Sequence, residues 1–123
     1  MAKPIVSVII PTYQRAQWVG EAIESVLAQS YKNYEIIVIN DGSTDHTSKV
    51  LKQFEDKIKV FNQQNKSLPS ARNIAINSSQ GRYIAFLDND DLWLKNKLEK
   101  LDSTASFILD NLQALYLQLV FAL

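Results

Sequence analysis

The sequence contains no cysteine, which excludes a disulfide framework, a thiolate metal site and a catalytic thiol. Its single histidine, His46, is all that a Ser-His-Asp triad could be built on, and it follows an Asp in a turn-like stretch rather than any nucleophile elbow. Glycine is scarce. Gly20, Gly42 and Gly81 are the whole supply, so neither a G-x-G-x-x-G dinucleotide turn nor a G-x-x-x-x-G-K-[ST] phosphate loop can be spelled. An excess of one charge is also lacking, with 13 Lys+Arg against 13 Asp+Glu, which leaves no electrostatic footprint for nucleic acid or an anionic membrane surface. No run approaches the roughly 18 apolar residues of a membrane span, and Pro11 stops the first apolar run well short of a signal-peptide core. These absences predict a cytoplasmic chain, at most peripheral to a membrane, with no nucleic-acid partner.

What the 123 residues do contain, 46% of them hydrophobic, is enough for one core. Ile5 to Ile10 and Tyr34 to Ile39 are β-branched runs that read as buried strands. Between them Val19, Ala22, Ile23, Val26 and Leu27 recur at helical spacing. The alternation repeats: Ser43, Thr44 or Asp45 can cap a helix carrying Val50, Leu51 and Phe54, and Ile58 to Phe61 is a short strand. Pro69 opens a helix with a narrow face of Ala71, Ile74, Ala75 and Ser78, which Gly81 ends before a fourth strand, Tyr83 to Leu87. About four strands alternating with helices predict an α/β domain with a mostly parallel sheet.

After Trp93 the pattern changes. Leu94, Leu98, Leu101, Ala105, Ile108, Leu112, Leu115, Leu119 and Ala122 form a heptad stripe, which predicts one long C-terminal helix or two in register. From residue 104 to 123 the chain is apolar on more than one face. That tail is expected to pack on something, and a second copy of the chain is the expected partner, giving a homo-oligomer.

In parallel sheets ligands sit beyond the carboxyl ends of the strands, so chemistry is sought in the loops that follow them. Pro11-Thr12-Tyr13-Gln14-Arg15 offers a hydroxyl, an aromatic face and a guanidinium, suited to a base and a phosphate, or to plain packing and solvation. Asp41, in Asn40-Asp41-Gly42-Ser43-Thr44-Asp45, can accept hydrogen bonds from a base or ribose, while Asp-Gly also simply makes a turn. Arg72 lies just inside a helix whose amides favour anions, and could equally pair with an acidic neighbour. Asp88-Asn89-Asp90-Asp91 crowds three carboxylates, an oxygen-only donor set that suits Mg2+ or Mn2+. The same residues could instead cap a helix starting near Leu92.

Read in order, Val6 to Tyr13, Glu21 to Gln29, Asp41 to Asp45, Ser70 to Asn73 and Phe86 to Asp91 resemble the family 2 inverting glycosyltransferases. The resemblance implies the Rossmann-like N-terminal half of a GT-A fold over residues 1–103, binding a nucleotide-diphospho-sugar such as a UDP-sugar. By position, Pro11, Thr12, Tyr13 and Arg15 would line the nucleoside pocket and Asp41 would bond the base. Arg72 would sit near base or phosphates, Asp88 and Asn89 near ribose and donor sugar, and Asp90 at the divalent metal, Mn2+ or Mg2+. Asn40 departs from the acidic residue frequent there. The acceptor site and general base belong to a second half that the resemblance does not reach, so this stretch alone is expected to bind donor and transfer little or no sugar. The competing reading is a non-catalytic α/β module that assembles through its heptad helix.

Overall fold

The computed structural model describes residues 4–64, 68–87, 92–102 and 118–120. Strand and helix alternate as β1 Val6–Thr12, α1 Ala16–Leu27, β2 Tyr34–Asp41, α2 Thr47–Lys52, β3 Lys59–Gln63, α3 Leu68–Ser78, β4 Tyr83–Phe86 and β5 Gln118–Val120. The sheet order is β3-β2-β1-β4-β5, and every pairing is parallel. This is the parallel α/β arrangement that the alternation predicts, Rossmann-like as the resemblance implies. The chain runs outward from β1 to β3, then crosses back through α3 to place β4 on the other side of β1.

Period-two alternation explains which face each strand residue joins. Val6, Val8 and Ile10 of β1, Ile36 and Val38 of β2, and Ala85 and Leu87 pack with Val19, Ala22, Ile23 and Val26 of α1 and Leu51 of α2. Ile9, Ile37, Ile39 and Phe86 point the other way, against Ala71 and Ala75 of α3. Both faces are covered, which is why the strands read as unbroken apolar runs. Ile9, Ile10, Ile36, Ile37 and Ile39 lie at 0–1% exposure, and each such side chain stabilises the fold by about 1.5–3 kcal/mol.

Two strands run further than their apolar cores suggest. β2 continues to Asp41 and β3 to Gln63, because the parallel ladder continues through Thr12↔Asn40 and Asp41↔Gln63. At the opposite, amino end of the sheet, Glu35 sits in an apolar strand with its side chain only 10% exposed. It accepts hydrogen bonds from Ser7 Oγ at 2.5 Å, Lys59 Nζ at 2.8 Å and the Gln80 amide at 2.6 Å. Burial raises its pKa, but these donors and the Lys59 charge outweigh burial and hold the carboxyl below its ordinary value. Gly81 closes the same corner: its amide donates to Ser7 Oγ at 2.8 Å, and a Cβ there would come within 2.5 Å of the Ser7 amide nitrogen. Close approach, not backbone freedom, is what requires glycine.

The expected C-terminal helix is met in part: it starts later than expected, and residues 118–120 are strand. Residues 92–94 are irregular, helix begins only at 97, and residues 97–102 are helical rather than starting near Leu92. Leu98 and Leu101 join the α1 face of the core. Fully buried Gln29 fastens this segment, donating to Leu94 O at 2.6 Å and accepting from the Leu98 amide at 3.0 Å. Residues 118–120 then form β5 along β4 instead of continuing the stripe. The free edge of β4 offers unpaired backbone donors and acceptors, and Leu119-Val120-Phe121 has the composition to pair with them. The remaining stripe residues, the boundary at 103 and the self-associating surface lie outside the described residues. Among the described residues no helix is long and apolar enough to cross a membrane.

Gly81→Ala is expected to cost about 1–3 kcal/mol through overpacking against β1, read from urea unfolding. Glu35 contributes stability above the ordinary carboxylate range, and that contribution is lost as pH falls through its lowered value. Thermal melts on acidification should therefore fall more steeply for wild type than for Glu35→Gln, which should be the less stable protein at neutral pH.

Candidate functional site

β1 pairs with β2 over its whole length, Val6 to Thr12, but with β4 only from Val6 to Ile9. The Leu87 amide bonding to Ile9 O ends the second ladder. The ladder to β4 stops before Pro11, which is how a proline, lacking an N–H to give it, is accommodated in a central strand. The stop falls at the carboxyl ends of the strands, where the sheet order reverses, and such reversals are where α/β sheets receive ligands.

Thr12 ends β1 at this point. It is 2% exposed, and its Oγ1 has no hydrogen-bond partner among the described residues. Leaving such a hydroxyl unpaired costs about 1–3 kcal/mol, a cost that a polar ligand group would relieve. Arg72, from the second turn of α3, places its guanidinium carbon 5.2 Å from the centroid of Phe86, the last residue of β4. Its Nε is likewise buried and unpartnered among the described residues. A cation held against a ring with an unused donor suits an anionic or carbonyl ligand.

Asp41, half-buried, ends β2. Gln63 Nε2 donates to its Oδ1 at 2.8 Å, and Ser70 Oγ donates to Gln63 Oε1 at 3.2 Å, so β3 and the first turn of α3 brace this carboxylate. Gly42, at φ 75°, makes the turn that follows. The departure at Asn40 is structural: 3% exposed, it accepts from the Ser43 amide and donates to Ser48 Oγ, both at 3.3 Å, shaping the loop.

The loop after β1 leans on the loop after β2. Gln14 takes a left-handed backbone, φ 53°. Its Oε1 accepts from the Thr44 and Asp45 amides at 2.6 and 3.2 Å, and its Nε2 donates to Thr44 Oγ1 at 2.9 Å. Asp45 returns the contact. Its Oδ2 accepts from the Ala16 amide at the start of α1, while its Oδ1 accepts from the amide and hydroxyl of Thr47 at the start of α2. One carboxylate thus serves two helix N-termini, and the Thr47 hydroxyl foremost keeps its pKa below the ordinary value. Of the three capping candidates, Asp45 supplies the cap; Ser43 and Thr44 bond Gln14 instead, and exposed His46 gives α2 no side-chain cap bond.

The structure therefore brings Pro11, Thr12 and Asp41 to neighbouring strand ends and Arg72 to the end of β4. Tyr13, 43% exposed, stands in the loop above them. Arg15 goes elsewhere: exposed at the start of α1, it lines a groove of about 570 Å³ with Trp18, Asp45 and His46 on the α1–α2 side. Asp88, Asn89 and Asp90 lie outside the described residues, and among the described residues no cluster of three or more His, Cys, Asp or Glu could hold a metal. Gln14 and Gln63 escape sequence reading because their partners lie far along the chain. The only available signal is that Gln14 sits between two candidate residues and Gln63 ends a strand.

Residues 7–106 match the family model described as Glycosyl transferase family 2. An uncharacterized glycosyltransferase of Rickettsia bellii is 51% identical over 106 residues, covering 80% of this chain and 15% of that protein. The Escherichia coli UDP-Glc:alpha-D-GlcNAc-diphosphoundecaprenol beta-1,3-glucosyltransferase WfgD is 44% identical over 97 residues, covering 77% and 38%. Residues 1–349 of S. aureus TarS, solved with UDP-GlcNAc, match with a TM-score of 0.70 at 31% identity, covering 86% of this chain and 31% of that one. The chain spans less than half the length of each of these proteins.

Asp45→Ala should lower stability by about 1 kcal/mol through the lost caps, whereas Asp45→Asn, which keeps an acceptor oxygen, should lose less. Guanidinium unfolding of the two variants checks this.

Proposed function

The chain belongs to glycosyl transferase family 2, and from that premise we propose that it forms the donor-binding half of a glycosyltransferase that takes a sugar from a nucleoside diphosphate with inversion at the anomeric carbon. The observation that carries this reading lies at the carboxyl end of β1, where buried Thr12 Oγ1 lacks a partner among the described residues beside the braced Asp41. A nucleoside can fill that vacancy with its own polar edge. Asp41 accepts from base or ribose, Tyr13 provides a stacking face, and Arg72 meets the phosphates from α3. Arg15, on the α1–α2 side, has the weakest claim among the predicted pocket residues.

UDP is the preferred nucleotide in this reading. The E. coli relative is named for UDP-Glc and the TarS structure holds UDP-GlcNAc, which supports a UDP-sugar, and a Bacillus subtilis relative named a putative teichuronic acid biosynthesis glycosyltransferase supports a role in polysaccharide biosynthesis. The acidic stretch Asp88-Asn89-Asp90 fits a hard divalent cation by its oxygen-only donors, with Asp90 as the direct ligand. When bound, Mn2+ or Mg2+ would offset the negative charge of the departing diphosphate. Asp88 and Asn89 then hold ribose and donor sugar. The non-catalytic assembly module is not favoured, since its heptad helix is broken by a strand at residues 118–120.

Thermal unfolding with UDP in Mn2+ and then in EDTA tests this. Ligand at a hundred times its dissociation constant should stabilise by about 2.7 kcal/mol, and the shift should vanish in EDTA. No shift with UDP or any other nucleoside diphosphate would overturn the donor-site reading.

A further inference from the structure

The donor-site reading assigns contact roles to Tyr13 and Asp41 but says nothing of what fixes the two loops that carry them. Tyr13 belongs to the loop after β1, and Asp41, the last residue of β2, stands at the start of the loop that follows it. Neighbouring strands hold the loop stems, yet the loops extend beyond the last ladder pair, Thr12↔Asn40. Across that gap Gln14 makes three side-chain bonds and one main-chain bond, the last from its own amide to Ser43 Oγ at 2.9 Å. The primary amide is used at both ends, two donors converging on its oxygen and its nitrogen engaged with Thr44. No other side chain among the described residues links these two loops so densely. Asp45 adds its single bond to the Ala16 amide just beyond.

The backbone supports the same conclusion. A left-handed φ of 53° is disfavoured for a residue with a Cβ, and Gln14 is the only non-glycine residue with a positive φ among the described residues. Glycine would occupy that conformation without strain, but glycine would abolish the side-chain bonds. The sequence holds a strained residue where an unstrained one would serve the backbone, and strain of this kind persists where the surrounding contacts determine it.

We infer that Gln14 is a positioning residue for nucleobase recognition: it clasps the β1 and β2 loops together and so sets the separation between the Tyr13 face and the Asp41 carboxylate that the base must enter. The inference rests on the donor-site reading above. It places Gln14 outside direct contact with the ligand, acting through Thr44, Asp45 and the turn at Gly42. Asp88 to Asp91 follow β4 in the sequence and Arg72 comes from α3, so in that reading the diphosphate end of the ligand is served by groups with which Gln14 makes none of its bonds.

Gln14→Gly and Gln14→Glu separate clasp from strain. Gln14→Gly relieves the backbone and removes the side chain, so the fold should survive with its melting temperature little changed. Its UDP affinity should fall about tenfold, roughly what losing one or two good hydrogen bonds produces. Its preference for UDP over ADP should fall by a similar factor, because only the base-reading end loosens. Gln14→Glu keeps the acceptor that both amides use and should retain UDP affinity within about threefold. Unchanged UDP affinity in Gln14→Gly would overturn the inference, and so would a parallel loss for UDP and ADP with a lowered melting temperature, the signature of a merely structural residue. Amide exchange at Thr44 and Asp45 tests the clasp without ligand: protection in wild type and its loss in Gln14→Gly are expected, and no protection in wild type would overturn it. A wild-type chain that binds neither nucleotide overturns the donor-site reading instead, while exchange still decides whether the clasp exists.

Discussion

The unequal pairing of β1 is the constraint on which the rest of this structure depends. Over Val6 to Ile9 the strand has a parallel partner on each edge and a packed layer on each face; over Ile10 to Thr12 the ladder to β2 continues after the ladder to β4 has ended. Parallel crossovers run each connection back from the carboxyl end of the sheet, so each strand delivers its following loop to the end where the β4 ladder has stopped. The offset is a by-product of strand length: β4 stops at Phe86, and β1 runs on to Thr12.

The two ends of the sheet are built for opposite purposes. At the amino end, Glu35 is a nearly buried charge whose lone pairs are met by Ser7, Lys59 and the Gln80 amide. A charge so satisfied ties β1, β2 and β3 to the turn before β4, and removing one partner would leave it uncompensated. At the carboxyl end, Thr12 and Arg72 keep buried polar atoms without partners among the described residues. A fold under selection for stability alone would pair or replace them. Thr12 Oγ1 and Arg72 Nε lie at the same sheet end as the braced Asp41, where one polar ligand could meet both.

Much of this was legible in the sequence because the signals were local. Four strands announced themselves as β-branched runs, α1 as a helical repeat of Val19, Ala22, Ile23 and Val26, and Asp41 as an acid at a strand end. What escaped was set by distance along the chain. Gln14 meets Thr44 and Gln63 meets Asp41 only after the parallel ladder has brought β1, β2 and β3 into register, and a glutamine in a loop carries no mark of that. The heptad stripe does not extend as helix through residues 118–120 for a related reason. Periodicity states what a segment could do in isolation, but the open edge of β4 competes for residues 118–120, and a backbone offered ready-made hydrogen-bond partners takes them. Asp45 lay between these cases: its capping role was readable, its service to a second helix was not.

Gln29 has a bearing on the acidic segment that it never touches. Its grip on Leu94 and Leu98 fixes one end of the span from 88 to 93, and the bond from the Leu87 amide to Ile9 fixes the other. Both flanks of that span are therefore held by the folded core, and the entropy of closing it is met when the core folds. Closure entropy grows slowly, at about 0.6 kcal/mol for each doubling of loop length. A chain anchored in this way can lengthen or shorten the acidic span at little thermodynamic cost while the sheet that anchors it stays the same.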